Sequence, residues 1–260
     1  MLSHILIGAA LSTLIAAAAW RARSLSVSGA GAAAAIGTLA IAAGWAWGAL
    51  LVAYFVASSA LSHAGREIKT QRTSAIVSKA GPRDGIQVLA NGGVFAVAAL
   101  AAAFNPAARW LALGAGALAA SAADTWATEL GTRYGATPRS ILTGRSVPVG
   151  TSGGISAIGT VGAIVGALFV GACALALGWA PRIVLVVAVG GVVGAVVDSL
   201  LGASLQGGRW CDTCARGTER LRHDCGTLTR HLRGVAWVDN DVVNFLSGLA
   251  GGLLAAWLAG

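Results

Sequence analysis

"WLALGAGALAASAADTWATELG", residues 110 to 131, runs uncharged from Trp110 to Ala123 and then carries Asp124 and Glu129 in its last turns. About 20 such residues suffice to cross a bilayer as a helix. The whole chain shares this character: of 260 residues, 56% are hydrophobic and only 11% charged, with a mean hydropathy of +0.75. Soluble domains carry roughly 25% charge. Apolar segments recur at about 3–20, 29–44, 45–61, 86–104, 109–130, 155–178, 182–205 and 240–259, predicting an all-α polytopic transmembrane bundle. Residues 1–260 read as one integral-membrane domain. The second and third segments part only around Gly44 and Trp45, so they form either a tight hairpin or one long broken helix, leaving six to eight segments. The 37 glycines suit helices whose backbones approach closely. Gly162/Gly166, Gly190/Gly194 and Gly248/Gly252 have the spacing of such contacts.

Charge placement orients the bundle. If eight segments alternate, the connections 21–28, 62–85, 131–154 and 206–239 share a side and hold 16 of the 18 Lys and Arg residues, leaving only Arg109 and Arg182 opposite. Basic connections mark the cytoplasmic side, so both termini are expected outside. A net charge of +8 then needs no nucleic-acid partner. Arg21 and Arg23 follow the first apolar run and no basic residue precedes it, the reverse of a cleavable signal peptide, so an uncleaved first span is expected.

In this topology the polar residues of the spans converge on the cytoplasmic face: Asn91, Asp124, Glu129, Asp198, Gln206, Asp241 and Asn244. Charged groups in membrane segments are costly and usually face a protein interior or a watery cavity, so the convergence reads as a cytoplasm-facing site. Glu129 and Asp241 have a plainer reading as interfacial carboxylates, and Asn91 in "QVLANGG" as a hydrogen-bonding group between helices.

The stretch "RSVPVGTSGGISAIGT", 145 to 160, sets Gly150, Thr151, Ser152, Gly153 and Gly154 before a helix on the basic face. Backbone N–H groups, hydroxyls and a positive helix end are the chemistry of a phosphate cradle. The alternative is a glycine turn needed for packing; no Walker pattern occurs. Carboxylates beside such a cradle suit Mg²⁺, with Asp124, Asp198 and Asp241 as the expected ligands. Basic residues of the 62–85 and 131–154 connections are mostly topological determinants, though one or two facing a phosphate would suffice.

Cys211, Cys214, His223 and Cys225 fall within 15 residues of the cytoplasmic loop 206–239. They match the ligand set of a Cys₃His structural zinc site, with reduced thiols or a redox role as alternatives in a reducing compartment. Cys173 reads as core.

"QVLANGG", "ADTWATELG", "VPVGTSGGISAIGTVGA", "DSLLGASLQ" and "NDVVN" occur in the order seen in an integral-membrane family that includes the plant phytyl-phosphate kinases and animal transmembrane protein 19. The resemblance covers about residues 5 to 258. More distantly, an Asp-bearing helix end followed by a polar glycine loop resembles the CTP-dependent dolichol and phytol kinases and the CDP-diacylglycerol synthases. Their glycine region is commonly preceded by a lysine that is absent here, where Arg145 stands as the substitute.

The resemblance implies a kinase converting a prenyl or phytyl monophosphate to the diphosphate, with CTP or another nucleoside triphosphate as donor. Asp124, Asp198 and Asp241 would hold Mg²⁺, while Glu129, Asn91, Gln206 and Asn244 orient ligands and Gly150 to Gly154 with Arg145 meet phosphates. Cytidylyl transfer to a lipid phosphate would use the same site. A transporter or lipid flippase is a third reading, against which stand the one-sided polar residues and the lack of an internal repeat. The multi-pass chain is expected in the cell membrane among its lipids; whether it forms a homo-oligomer is left open by its sequence.

Overall fold

The computed structural model describes residues 2–79 and 81–260. Their backbone forms eight long helices and one short one: α1 (Leu2–Arg21), α2 (Val27–Ala43), α3 (Trp45–Ala64), α4 (Arg66–Thr73), α5 (Gly85–Phe104), α6 (Ala108–Tyr134), α7 (Ala157–Ala176), α8 (Pro181–Ser204) and α9 (Asn240–Ala259). The long helices coincide with the eight apolar segments; the polar α4 in the 62–85 connection has no apolar signal and was not expected. Five of them, α3, α5, α7, α8 and α9, are long and apolar enough to cross a membrane. Leu14, Val97, Phe104, Leu185 and Trp257 point outward from the bundle, as lipid-facing side chains do.

Gly44 decides between hairpin and broken helix. Its φ of 143° is open to glycine and strained for other residues, and it ends α2 and begins α3. The far end of α3 returns to the start of α2, where His63 Nε2 lies 3.2 Å from the Ala22 carbonyl oxygen. The two helices are therefore an antiparallel hairpin.

Capping chemistry distinguishes the two ends of the bundle. Helices α2, α5, α7 and α9 start at the basic end, and each has a side-chain N-cap: Ser26, Asp84, Ser156 and Asp239 accept from backbone N–H groups of their first turns. Asp84 and Gln87 complete a reciprocal capping box, which satisfies two otherwise orphaned N–H groups. Helices α3, α6 and α8 start at the other end with no side-chain cap; α8 begins instead on Pro181, whose missing N–H is no loss there.

The centre is α6, buried at every position from Ala112 to Ala123 and packed against α3, α4, α5, α7, α8 and α9. Small residues permit this. A Cβ on Gly162 or Gly166 would sit 2.7 or 2.8 Å from the carbonyl oxygens of Trp126 and Ala122, and one on Gly194 would sit 2.4 Å from Ala120 Cβ. Gly190 and Gly251 face each other, with 2.5 and 2.6 Å to the opposite carbonyl oxygen. The third expected pair is corrected: Gly252 is tight, at 2.6 Å from the Leu113 oxygen, but Gly248 has ordinary room at 3.9 Å. One residue further round the helix, Gly251 makes the close crossing.

The four basic connections meet. Arg83 N donates to the Ser24 oxygen at 3.0 Å and Glu219 N to the Ile76 oxygen at 2.8 Å, while Ser152 Oγ donates to Glu219 Oε1. Two small sheets, absent from an all-helical reading, stiffen this end: β1 (Arg139–Ser140) pairs antiparallel with β2 (Gly154–Ile155). In loop 206–239, β3 (Gly208–Cys211) lies between β4 (Arg216–Thr218) and β5 (Arg230–Arg233), both antiparallel to it.

Candidate functional site

The basic end encloses a cavity of about 720 Å³ that brings together Asp124 of α6, Asp198 of α8, Asp241 and Asn244 of α9, Asn91 of α5, and Glu129 one turn beyond Asp124. Their backbones descend from four different spans, and the small-residue packing around α6 draws those spans close enough for the side chains to share one space.

The carboxylates differ in how they are balanced. Glu129, 3% exposed, accepts through Oε1 from Lys69 Nζ at 2.7 Å and from Ser62 Oγ at 2.8 Å. Asp241, 5% exposed, accepts through Oδ2 from Lys79 Nζ at 2.5 Å. Their second oxygens, Glu129 Oε2 and Asp241 Oδ1, are buried with no hydrogen-bond partner among the described residues. Among the described residues Asp198 accepts only the neutral Ser247 hydroxyl, at 3.1 Å, and it interacts electrostatically with Asp124. Neither Asp124 nor Asp198 forms an ion pair among the described residues. Two neighbouring carboxyl groups in a low-dielectric setting, with orphaned oxygens on the flanking pair, fit a hard divalent cation that takes one or two carboxylates plus ligand oxygens.

Lys79 also bonds Asp84 Oδ2 at 3.0 Å, so it bridges the cap of α5 and the first turn of α9. Burial alone would lower the Lys79 ammonium, but the hydrogen bonds it donates to Asp241 and Asp84 outweigh it and raise its pKa. For Asp84, burial is likewise overcome by the Gln87 backbone N–H and Lys79, which hold the carboxyl below its ordinary value. Glu219 goes the other way: burial dominates and pushes it up against the opposing Ser152 bond and Arg233 charge.

Residues 150–154 line the same cavity. Gly150 and Gly153 have φ of 93° and 79°, and a Cβ on Gly153 would lie 2.4 Å from Ala203 Cβ, so this loop is seated on α8. Part of its donor set is used internally: Thr151 N and Gly154 N donate to the Pro148 and Thr151 oxygens, Ser152 Oγ to Glu219, and Ser156 caps α7. Asn91 donates through Nδ2 to the Gln87 oxygen of its own helix at 2.8 Å rather than across helices.

Two expected ligand residues do not line the cavity. Arg145 is exposed, because 138–147 folds back on itself through Ser140 N to the Arg145 oxygen and Val147 N to the Pro138 oxygen. Gln206 is buried, its N–H bonded to the Leu201 oxygen and its side chain beside Glu219, so it closes the end of α8. Glu219, Asp84 and Ser62 were not anticipated. The basic residues read as mostly topological, with one or two free to face a phosphate, and the pairing of Lys69 and Lys79 with acids 60 and 162 positions away has no local sequence signal.

A second, apolar cavity of about 100 Å³ lies among α1, α2, α3 and α5. Tyr54, Arg83, Gln87 and Asn91 border both spaces. Arg83 is held there by Ser59 Oγ, which accepts from Nη1 at 3.2 Å.

In loop 206–239, the ligand atoms of Cys211, Cys214, His223 and Cys225 lie within 4.8 Å of one another. The crowding splits the thiols: hydrogen bonds from Thr227 lower Cys225 to about 6, and sharing with Cys225 raises Cys214 to about 11.

Residues 10–252 match the family "Integral membrane protein DUF92", and the chain belongs to that family. It is 29% identical to Protein PGR of Arabidopsis thaliana, over 91% of this chain and 90% of that protein. It is 28% identical to an uncharacterized membrane protein of Synechocystis sp., over 87% and 80% of the two chains. It is 30% identical to Protein VTE6, chloroplastic, of Arabidopsis thaliana, over 89% of this chain and 64% of that protein. No solved structure matches. The chain is thus a multi-pass membrane protein of the family that its motifs resembled.

Proposed function

We propose that the protein is an isoprenoid-monophosphate kinase, forming the lipid diphosphate with CTP or another nucleoside triphosphate as donor. The observation that carries this reading is the wall shared by the two cavities: Arg83 borders both an apolar space between helices and a polar one rich in carboxylates and cations. An amphiphile with an isoprenoid tail and a phosphate head matches both halves. Four helix N-termini open toward the polar end, and their dipoles favour anions there.

In this reading the tail lies among α1, α2, α3 and α5. Arg83 and its neighbour Arg23, which also lines the polar cavity, meet the lipid phosphate, and residues 150–154 meet the donor phosphates. An oxygen of the lipid phosphate attacks the γ-phosphorus, forming a new P–O bond while the β–γ bridging P–O bond breaks and nucleoside diphosphate leaves. The nucleophile is already anionic, so no protein base is needed and catalysis rests on positioning and charge neutralisation. Asp124 and Asp198, with the open oxygen of Asp241, would hold Mg²⁺, which neutralises phosphate charge when bound. Lys69 and Lys79 hold the Glu129 and Asp241 carboxyl groups in place. The basic connections support a cytoplasmic position for this end.

The test is to incubate purified protein with prenyl monophosphates of graded length and each nucleoside triphosphate. Lipid diphosphate plus nucleoside diphosphate is expected; a CDP-lipid plus pyrophosphate would assign cytidylyl transfer to the same site, and no turnover with any pair would remove the enzymatic reading.

A further inference from the structure

We infer that Cys211, Cys214, His223 and Cys225 bind one zinc ion, and that this ion holds loop 206–239 as a folded cap on the cavity. Three observations meet here. First, four ligand atoms within 4.8 Å of one another are close enough to surround a single ion. Cys211 Sγ and Cys225 Sγ are 3.6 Å apart, close to the edge of about 3.8 Å that two sulfurs span around a zinc with bonds of about 2.3 Å. All four cysteines are free, Cys211 is fully buried, and Cys214 is half-buried.

Second, His223 is 7% exposed, yet neither ring nitrogen has a hydrogen-bond partner among the described residues. Buried polar atoms are rarely left this way. A metal on one nitrogen removes the anomaly at the atom that faces the thiols. The backbone is shaped to match: Ala215, directly after the Cys-x-x-Cys pair, has φ of 49°, and Gly226, directly after Cys225, has φ of 87°. His223 N donates to the Thr227 oxygen and Gly226 N to the His223 oxygen, which closes the second turn around Cys225.

Third, the loop lacks the apolar core that would otherwise fold it. Its strands have four, three and four residues, and Leu221 and Leu228 are each 69% exposed. A unit this small needs a staple, and a structural metal is a standard one. The stapled sheet then bears on the site. Directly after β4, Glu219 N and Arg220 Nε bond the carbonyl oxygens of Ile76 and Val77, two residues before the Lys79 that pairs with Asp241. Glu219 also accepts from Ser152 of the glycine loop. The metal is therefore placed to fasten the 74–79 segment and the glycine loop without lying in the cavity itself.

Zinc binding is independent of the reaction at the cavity, and its test needs no substrate. The full chain, purified in detergent under reducing conditions, is expected to carry about one zinc per chain by elemental mass spectrometry. Cys211→Ser and His223→Asn should each lose it, while His223→Cys, which restores a fourth ligand, should retain it. Where a variant fails to fold, the parent answers alone: a strong chelator should speed tryptic cleavage at Arg216, Arg220 and Arg222, and added Zn²⁺ but not Mg²⁺ should reverse this. A parent free of zinc, a disulfide between Cys211 and Cys225 in the reduced preparation, or cleavage unaffected by chelation would each overturn the assignment.

Discussion

Replacing Lys69 by Met removes the ammonium from a carboxylate that is 3% exposed while leaving most of the side-chain volume in place. Glu129 Oε1 would keep one donor, Ser62 at 2.8 Å, and Oε2 has none among the described residues, so the variant strands a buried carboxylate. Breaking a fully buried pair costs about 3–5 kcal/mol. Exposed pairs are worth about 1 kcal/mol or less. Lys69 is 35% exposed, so water screens its end of the bond and the expected loss falls between these limits, at about 2 kcal/mol. For a chain of this size that corresponds to roughly 5 °C in melting temperature. The nine tryptophans supply the fluorescence signal for thermal unfolding in detergent. Glu129→Gln alone should cost less, because the partner left behind is the half-exposed lysine. The double variant should recover most of the Lys69→Met loss, giving a coupling of about 1–2 kcal/mol. Strictly additive losses would show that Lys69 and Glu129 do not interact, and would remove the pair from the account of the site.

Asp124→Asn and Asp198→Asn should each lower lipid-diphosphate formation per folded molecule by about a hundredfold to a thousandfold, about 3–4 kcal/mol of transition-state stabilisation; parental turnover with unchanged Mg²⁺ dependence in both would exclude them as metal ligands. Gly194→Val and Gly251→Val should destabilise by about 3 kcal/mol or more through forced overlap, seen as loss of the monodisperse peak on size exclusion, whereas Gly248→Ala should behave as the parent. Glu219 has a folded pKa above its ordinary 4.5, so the folded state holds the proton more tightly and stability declines as pH rises through and above that value. Glu219→Gln removes this term, and its melting temperature relative to the parent should climb over the same interval; a pH-independent difference would refute it.

The spans were legible because lipid demands about 20 apolar residues in a row, a signal written locally in the chain. The convergence of Asp124, Asp198, Asp241, Asn91 and Asn244 followed from topology alone, since alternation puts all their helix ends on one face. Gly44 could be read as a break, but the choice between a hairpin and one broken helix depends on a φ value. Pairings such as Lys79 with Asp241, and the outward fold of Arg145, depend on where distant segments come to rest. Strands of two to four residues in the loops are shorter than any periodicity that could reveal them.

The unbroken burial of α6 from Ala112 to Ala123 has a consequence for biosynthesis. This helix ends among protein neighbours on every side, yet α7, α8 and α9, which cover much of it, emerge from the ribosome later. Until they arrive its alanine-rich flanks and Asp124 must be tolerated by lipid or by the insertion machinery, with only the earlier spans for company. The segment at the heart of the mature protein is therefore the one least suited to wait alone in the bilayer. Its stable integration depends on synthesis running through to α9.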